Sequence, residues 1–217
     1  MSPRPLPSSR ARVRPRDRIL EQAVDLLALH GLDAMTMRQL GERVGLDNSS
    51  LYRHFASKGE LVDAALDRVA SEVLSHIEAS VELARPLTLQ DFEDACAHLG
   101  RYFFDHPRAA RLLLHWFLSM GAKGPGFAAS ALATDVKRPH GRLFEGVRGW
   151  LASGVRRGVL RKHAQPEAIV ILLGAILIRP ATYGHLLRSL EPERDRAAAR
   201  GAWERELRAV VRGAFAP

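Results

Sequence analysis

Apolar residues recur along this chain at helical spacing nearly from end to end. In the first segment they run from Ile19 to Leu27, three or four residues apart, and the segment closes at Gly31. This is the pattern of an amphipathic helix ended by glycine. A longer stripe predicts an extended later helix and comprises Val62, Leu66, Val69, Val73 and Ile77. Because no strand pairs with hairpin turns are found in the sequence, the pattern predicts an all-α protein.

Short polar residues and prolines indicate where the helices begin and end. Side chains that can cap a following helix stand at Thr36, Asp47, Ser57 and Thr88, and an amide or carboxyl three residues after Thr36 and Ser57 completes a capping box. Proline favours the first position of a helix and interrupts its interior. We therefore expect helices from Pro107 and from Pro166 to Leu190, a break at Pro139 and a kink near Pro180.

The stretch from Thr36 to Lys58 predicts two short helices joined by a tight turn at Gly45. Gly45 can supply the positive φ of a sharp turn, and Gly41 lets the second helix approach closely. The inner face would comprise Leu40, Val44, Leu51 and Phe55. This is the helix-turn-helix pattern, whose second helix enters the DNA major groove. An αα-hairpin without a DNA role is the alternative, but the outer face carries side chains that can reach bases or phosphates: Asn48, Ser49, Ser50, Tyr52 and His54.

Residues 14–66 resemble the DNA-binding domain of the TetR family of bacterial transcriptional regulators. The resemblance rests on Thr36-Met37-Arg38-Gln39-Leu40-Gly41, Val44-Gly45-Leu46, Leu51-Tyr52-Arg53-His54-Phe55 and Ser57-Lys58-Gly59-Glu60-Leu61. It implies a three-helix DNA-binding domain, placed here at residues 16–60, after a basic tail of residues 1–15. The remaining residues, 61–217, would form a helical effector-binding and dimerisation domain that begins with a long connecting helix.

The resemblance also implies which residues contact double-stranded DNA. Carried over by position they are Thr36, Arg38, Asn48, Ser49, Ser50, Tyr52, His54 and Lys58. The tip of the recognition helix lacks the small-residue-Gly or Pro-Thr pair often found there, so base preferences do not transfer. The implied protein is a homodimeric regulator on a palindromic operator, most simply a repressor that a small molecule releases. An activator and a ligand-independent regulator are the alternatives.

Charge changes this picture in one respect. Among the 217 residues, 32 Lys and Arg outnumber 24 Asp and Glu, giving +8, which favours a polyanionic partner. Residues 17–60, however, carry more acids than bases, so DNA affinity would depend on a few placed contacts. The tail is a solvated leader or a phosphate-contacting arm, and residues 1–16 carry Arg4, Arg10, Arg12, Arg14 and Arg16.

Several function classes are disfavoured by the sequence. The single Cys96 excludes a disulfide framework and a cysteine-built zinc site. The nine histidines lack metal-ligand spacing, and we expect neither a metal nor another cofactor. An enzyme is the rival class, but no nucleophile elbow or phosphate-binding loop is present. The longest apolar run, from Ala168 to Ile178, is too short to span a membrane, and no signal peptide precedes it, so we expect a cytoplasmic protein.

Large side chains in the second half are candidates for an effector pocket, although each is more often simply part of the core. The candidates are Phe103, His115, Trp116, Met120, Trp150 and Tyr183, with His98 and Arg179 as further polar anchors.

The last helix carries a stripe, called here the C-terminal stripe, of Trp203, Leu207, Val210, Val211 and Ala214. The helix before it is apolar nearly all round. We expect these last two helices to form a four-helix bundle with a second subunit. The alternative is that both pack within one subunit.

Overall fold

The structure, a computed structural model, describes residues 14–78, 88–122, 137–162, 174–182, 189 and 195–217. These residues contain helices and no strand, so the predicted all-α class is confirmed. The helices are α1 (Pro15–His30), α2 (Met37–Val44), α3 (Asn48–His54), α4 (Lys58–Glu78), α5 (Leu89–Asp105), α6 (Pro107–Ala122), α7 (Pro139–Arg156), α8 (Arg179–Thr182) and α9 (Arg196–Phe215), with a π-helical turn, Gly174–Ile178, before α8. Within the described ranges, no helix is long and apolar enough to cross a bilayer.

The predicted helix caps form, but one hydrogen bond of the cap at α4 is shifted by one residue. The Thr36 hydroxyl accepts a hydrogen bond from the Gln39 N–H at 3.2 Å, and the Gln39 amide oxygen accepts one from the Thr36 N–H at 2.8 Å. At α4 the Ser57 hydroxyl accepts from the Glu60 N–H, but the Glu60 carboxylate reaches the N–H of Ala56 at 2.7 Å. The reciprocal bond therefore closes one residue earlier than in a capping box.

Helices α1 to α3 share their core with the beginning of α4. The predicted inner face, Leu40, Val44, Leu51 and Phe55, is buried as expected. Leu61, Ala65 and Leu66 of α4 belong to the same buried cluster. The long helix thus completes the N-terminal core before it continues into the second half of the molecule.

In the second half, α9 packs against α5 at a glycine. A Cβ atom on Gly100 would lie 2.0 Å from Cη2 of Trp203 and 2.9 Å from Cδ2 of Leu207, so only glycine permits this approach. The expectation that the C-terminal stripe lies between subunits is wrong for Trp203, Leu207 and Val211, which are 3%, 2% and 1% exposed inside one subunit. Periodicity defined the buried face, but it could not tell which neighbour covers it. Val210 alone among the large side chains of the stripe is exposed.

Two prolines act differently from one another. Pro139 begins α7 instead of breaking a helix, because the first turn needs no N–H donor. Near Pro180 the expected irregularity is present as the π-helical turn that ends at Ile178. Most of the helix predicted from Pro166 to Leu190 lies outside the described residues, as does the basic tail before Arg14.

Candidate nucleic-acid interface

The turn between α2 and α3 is built on two glycines. Gly45 ends α2 with φ of 72°, a left-handed conformation that favours glycine. A Cβ atom on Gly41 would lie 2.6 Å from the carbonyl oxygen of Leu46 and 3.4 Å from Cδ1 of Leu51. The predicted close approach at Gly41 is therefore mainly to the backbone of the turn. Because neither glycine can gain a side chain without strain, the turn fixes the angle between the two helices.

Helix α3 buries one side and presents the other. Leu51 is fully buried, whereas Tyr52 is 49% exposed. In the described part of the chain, the side chains of Asn48 and Tyr52 form no hydrogen bond. These two residues of the predicted DNA-contact set are the ones most available to an outside partner.

The two serines at the tip of α3 are already engaged. The Ser49 hydroxyl donates to the Asp47 carboxylate at 2.7 Å, and the Ser50 N–H donates to the same carboxylate at 2.7 Å. These hydrogen bonds, that of the Ser49 side chain first, lower the pKa of Asp47. The Ser50 hydroxyl accepts from the Arg53 guanidinium at 2.8 Å. Both hydroxyls would have to exchange these partners, or share them, to contact DNA.

The remaining predicted DNA contacts lie around this helix. Thr36 is exposed but its hydroxyl belongs to the cap of α2. Arg38, with 79% of its side chain exposed, pairs with Glu42 at 3.4 Å. The Lys58 ammonium donates to the Asp33 carbonyl at 2.8 Å, and His54 is half-buried. An open cleft of about 510 Å³ between α2 and the tip of α3 is lined by Arg38, Gly41, Glu42, Gly45, Leu46, Asp47 and Asn48.

Arg16 fixes the far end of α3, and sequence reasoning had placed it among the arginines of the tail. Its guanidinium lies over the Phe55 ring, 4.4 Å from the ring centroid. It also donates to the His54 carbonyl at 3.5 Å and pairs with Glu60 at 3.5 Å. A contact across 38 residues leaves no local pattern in the sequence, so no spacing could have revealed it.

Acidic residues of the N-terminal domain are largely neutralised by arginines. The ion pairs are Asp17 with Arg14, Glu21 with Arg68, Asp25 with Arg108, Glu42 with Arg38 and Glu60 with Arg16. The excess of acids between residues 17 and 60 therefore repels a polyanion less than the residue count indicates.

Similarity to known proteins agrees with this geometry. Residues 19–65 match the model of the family described as bacterial regulatory proteins, tetR family. This N-terminal region belongs to the tetR family. An HTH-type transcriptional regulator of Saccharopolyspora erythraea is 35% identical over 109 residues, 49% of this chain and 44% of the relative. The HTH-type transcriptional repressor DrrR1 of Streptomyces coeruleorubidus is 43% identical over 53 residues, 24% of this chain and 20% of the relative.

Solved structures of tetR-family regulators have a similar fold. The ketosteroid transcriptional regulator KstR2 of Mycobacterium tuberculosis superposes with a TM-score of 0.62 at 19% identity, covering 93% of this chain and 95% of that one. The sequence matches are shorter, and the chain spans less than half the length of the first curated relatives it matches. Similarity outside the tetR-family domain therefore concerns architecture.

The predicted effector-pocket residues have different neighbours. Phe103 on α5 and Trp116 on α6 are 2% and 9% exposed. Trp150 on α7 packs against Phe92, with ring centroids 4.8 Å apart. The side chain of Met120 and all of Tyr183 lie outside the described residues. A common pocket for these residues stays a prediction.

The two histidine candidates lie at contacts between helices. His115 faces the end of α1, where a Cβ on Gly31 would lie 3.3 Å from its Nδ1. His98 stacks on His76 of α4 with ring centroids 4.2 Å apart, and burial together with His76 lowers the pKa of His98. Over the described ranges, no three His, Cys, Asp or Glu side chains are grouped as a metal site requires.

Proposed function

We propose that this protein is a sequence-specific DNA-binding transcription regulator, with α3 as its recognition helix. The observation that carries the proposal is the outward face of α3, where Asn48 and Tyr52 are exposed while Leu51 and Phe55 are buried. A helix held in this way can enter a major groove without disturbing its own packing. The match of residues 19–65 to the tetR family supports the same assignment.

In this proposal Asn48 and Tyr52 make the first contacts with bases or phosphates. Arg38 and Lys58 flank them and bind phosphate oxygens, Arg38 by leaving Glu42. Thr36, Ser49, Ser50 and His54 complete the set at the rim. The arginine tail, if it tracks the duplex, adds affinity without sequence preference.

The regulator acts as a homodimer on a palindromic operator and works in the cytoplasm. The C-terminal stripe is covered within the subunit, so the dimer uses the outer face of the last two helices. Val210 of α9 and Ile178 of the π-helical turn are 46% and 50% exposed, and the two elements contact each other. Two exposed apolar side chains on adjoining elements are compatible with such an interface.

A small molecule regulates this activity, and repression is the favoured sign because one relative is named a repressor. The ligand would favour a conformation in which the recognition helices no longer match two half-sites about 34–36 Å apart. Activation or ligand-independent regulation would use the same DNA-binding face.

Selection from random duplex DNA with the full chain tests the proposal. We expect an enriched palindrome, and fluorescence anisotropy should show weaker binding when one half-site is scrambled. A reporter placed behind that sequence then gives the sign of regulation. Equal binding to all sequences, with one common salt dependence, would leave only non-specific association and overturn the proposal.

A further inference from the structure

Arg179, the first residue of α8, has a buried polar atom with nothing to bind. Its Nε lies out of contact with solvent and has no hydrogen-bond partner. Throughout the part of the chain that the structure describes, its guanidinium forms no ion pair and no ring contact. The side chain as a whole is half-buried.

Three other half-buried arginines in the described ranges form close ion pairs, and Arg111, whose Nε is also buried without a hydrogen-bond partner, takes part in another interaction. Arg101 reaches Glu204 at 2.6 Å, Arg138 reaches Asp67 at 2.6 Å, and Arg208 reaches Asp94 at 2.6 Å. Removing the Nε–H of a guanidinium from water without a hydrogen-bond acceptor costs free energy. The exception at Arg179 therefore indicates a position that an anion from outside the chain occupies.

The backbone around Arg179 is unusual and its surroundings are apolar. The π-helical turn ends immediately before it, and such turns are frequent at functional sites. Ile176, Leu177 and Ala181 on either side are buried. This segment packs on α5 and α6, the helices that carry the buried Phe103 and Trp116. Among the described residues around it, an anion would meet the Arg179 cation beside buried apolar side chains.

We infer that Arg179 binds the carboxylate of a small, otherwise apolar molecule. The inference rests on the proposed function, since this molecule would be the effector. The planar guanidinium presents Nε and a terminal nitrogen as two parallel donors, which match the two oxygens of a carboxylate. Binding would satisfy the buried Nε and neutralise the charge, while the apolar body of the ligand would contact the surrounding helices.

The test compares octanoate with octan-1-ol, which share an apolar chain and differ in charge. Thermal unfolding of the full chain is measured with each, for the wild type, for Arg179→Met and for the control Arg101→Met, whose carboxylate partner lies within the chain. We expect octanoate alone to raise the wild-type Tm by at least about 2 to 4 °C. Arg179→Met should lose this shift and show an unchanged or higher Tm without ligand, whereas Arg101→Met should lower the Tm and keep the shift.

Three results would overturn the inference. They are equal stabilisation by both probes, an octanoate shift that survives in Arg179→Met, and no shift in the wild type. Conversion of Arg179→Met to a monomer in sedimentation would instead assign the anion to a second subunit, which also overturns it. A separate measurement of DNA binding distinguishes the two proposals. Both the wild type and Arg179→Met should bind the selected palindrome in the absence of octanoate. A wild type that does not bind it would refute the DNA-binding function itself.

Discussion

Arg108, in the first turn of α6, forms an ion pair with Asp25 of α1, 83 residues earlier in the chain. The hydrogen bond between them raises the pKa of Arg108. The same Asp25 carboxylate lies 3.6 Å from the Arg43 guanidinium of α2. The Asp25 carboxylate thus joins α2 of the helix-turn-helix to α6 in the second half of the molecule. We expect this contact to fix the position of α2 and α3 relative to α6.

Removing the ion pair between Arg108 and Asp25 should weaken binding to a DNA with two half-sites more than binding to a DNA with one. Arg108→Met should weaken binding to the full palindrome roughly 5- to 10-fold, the size expected when a contact couples two parts of a protein. The variant's binding to a single half-site should stay unchanged. Its Tm should change little, since ion pairs this exposed contribute only about 0.2 to 1 kcal/mol. Arg148→Met, which breaks a pair within α7, is the control. An equal loss on both DNAs would argue against a positioning role.

Tyr52→Ala should weaken operator binding without changing stability, because the side chain is half exposed and not part of the core. If the hydroxyl contacts phosphate, the salt dependence of log K should soften by up to about 0.9 per lost contact. Anisotropy titrations at several salt concentrations measure both effects. Tyr52→Phe keeps the ring and separates its contribution from that of the hydroxyl. Unchanged affinity in both variants would remove Tyr52 from the interface.

Leu51→Ala, one residue away, should act through the core instead. Leu51 is 0% exposed, and deleting a buried leucine side chain costs about 2 to 5 kcal/mol. Denaturant unfolding should show a lower midpoint, and DNA binding should persist in the fraction that remains folded. A variant of normal stability that failed to bind DNA would place Leu51 at the interface rather than beneath it.

Sequence patterns predicted local features well, since these depend on neighbours within a few residues. Capping at Thr36, the turn at Gly45 and the inner face of α2 and α3 all follow from spacing along the chain. The C-terminal stripe was correct as a buried face and wrong in its partner. Helical periodicity specifies which side of a helix avoids water, and only the assembled fold supplies the surface that covers it.

The contacts that sequence analysis missed join residues far apart. Arg16 against Phe55, Arg108 against Asp25 and Arg138 against Asp67 depend on the arrangement of whole helices. Each partner alone is an ordinary charged or aromatic residue. The hydrogen bonds that occupy the hydroxyls of Ser49 and Ser50 are local and were missed for another reason. A serine hydroxyl has several possible partners within a few residues, and spacing along the chain does not choose among them.

Gly100→Ala should destabilise the subunit, because its new methyl group would overlap the Trp203 ring. Overpacking of this kind typically costs about 1 to 3 kcal/mol. Gly213→Ala in α9 is a matched control, since a Cβ there meets nothing within 4 Å and alanine favours a helix. Thermal unfolding should give a lower Tm for the first variant and an equal or higher Tm for the second. Equal behaviour of the two would contradict the close approach of α5 and α9.

Val210→Arg should disrupt the proposed dimer without unfolding the subunit, since the side chain is exposed and a charge there is harmless in a monomer. Sedimentation should show monomers, and binding to the full palindrome should fall with it. Leu29→Arg, at a site in α1 that is also exposed, should sediment as the wild type does. A dimeric Val210→Arg protein would show that the subunits meet elsewhere.

Helix α4 packs against α1 and also against α5 and α7, and this limits how the protein can be recombined with its relatives. A hybrid that takes residues 1–60 from this chain and the rest from a relative would lose Leu61, Ala65 and Leu66. These side chains of α4 are part of the buried cluster that α1 to α3 pack against. A hybrid that takes residues 1–78 from this chain would keep them. It would also bring Asp63 and Asp67 into the relative, which would then need an arginine where this chain has Arg138. A new DNA specificity can therefore be grafted onto this second half only together with an α4 that keeps carboxylates facing Arg138, so the helix-turn-helix and α4 have to be exchanged as one unit.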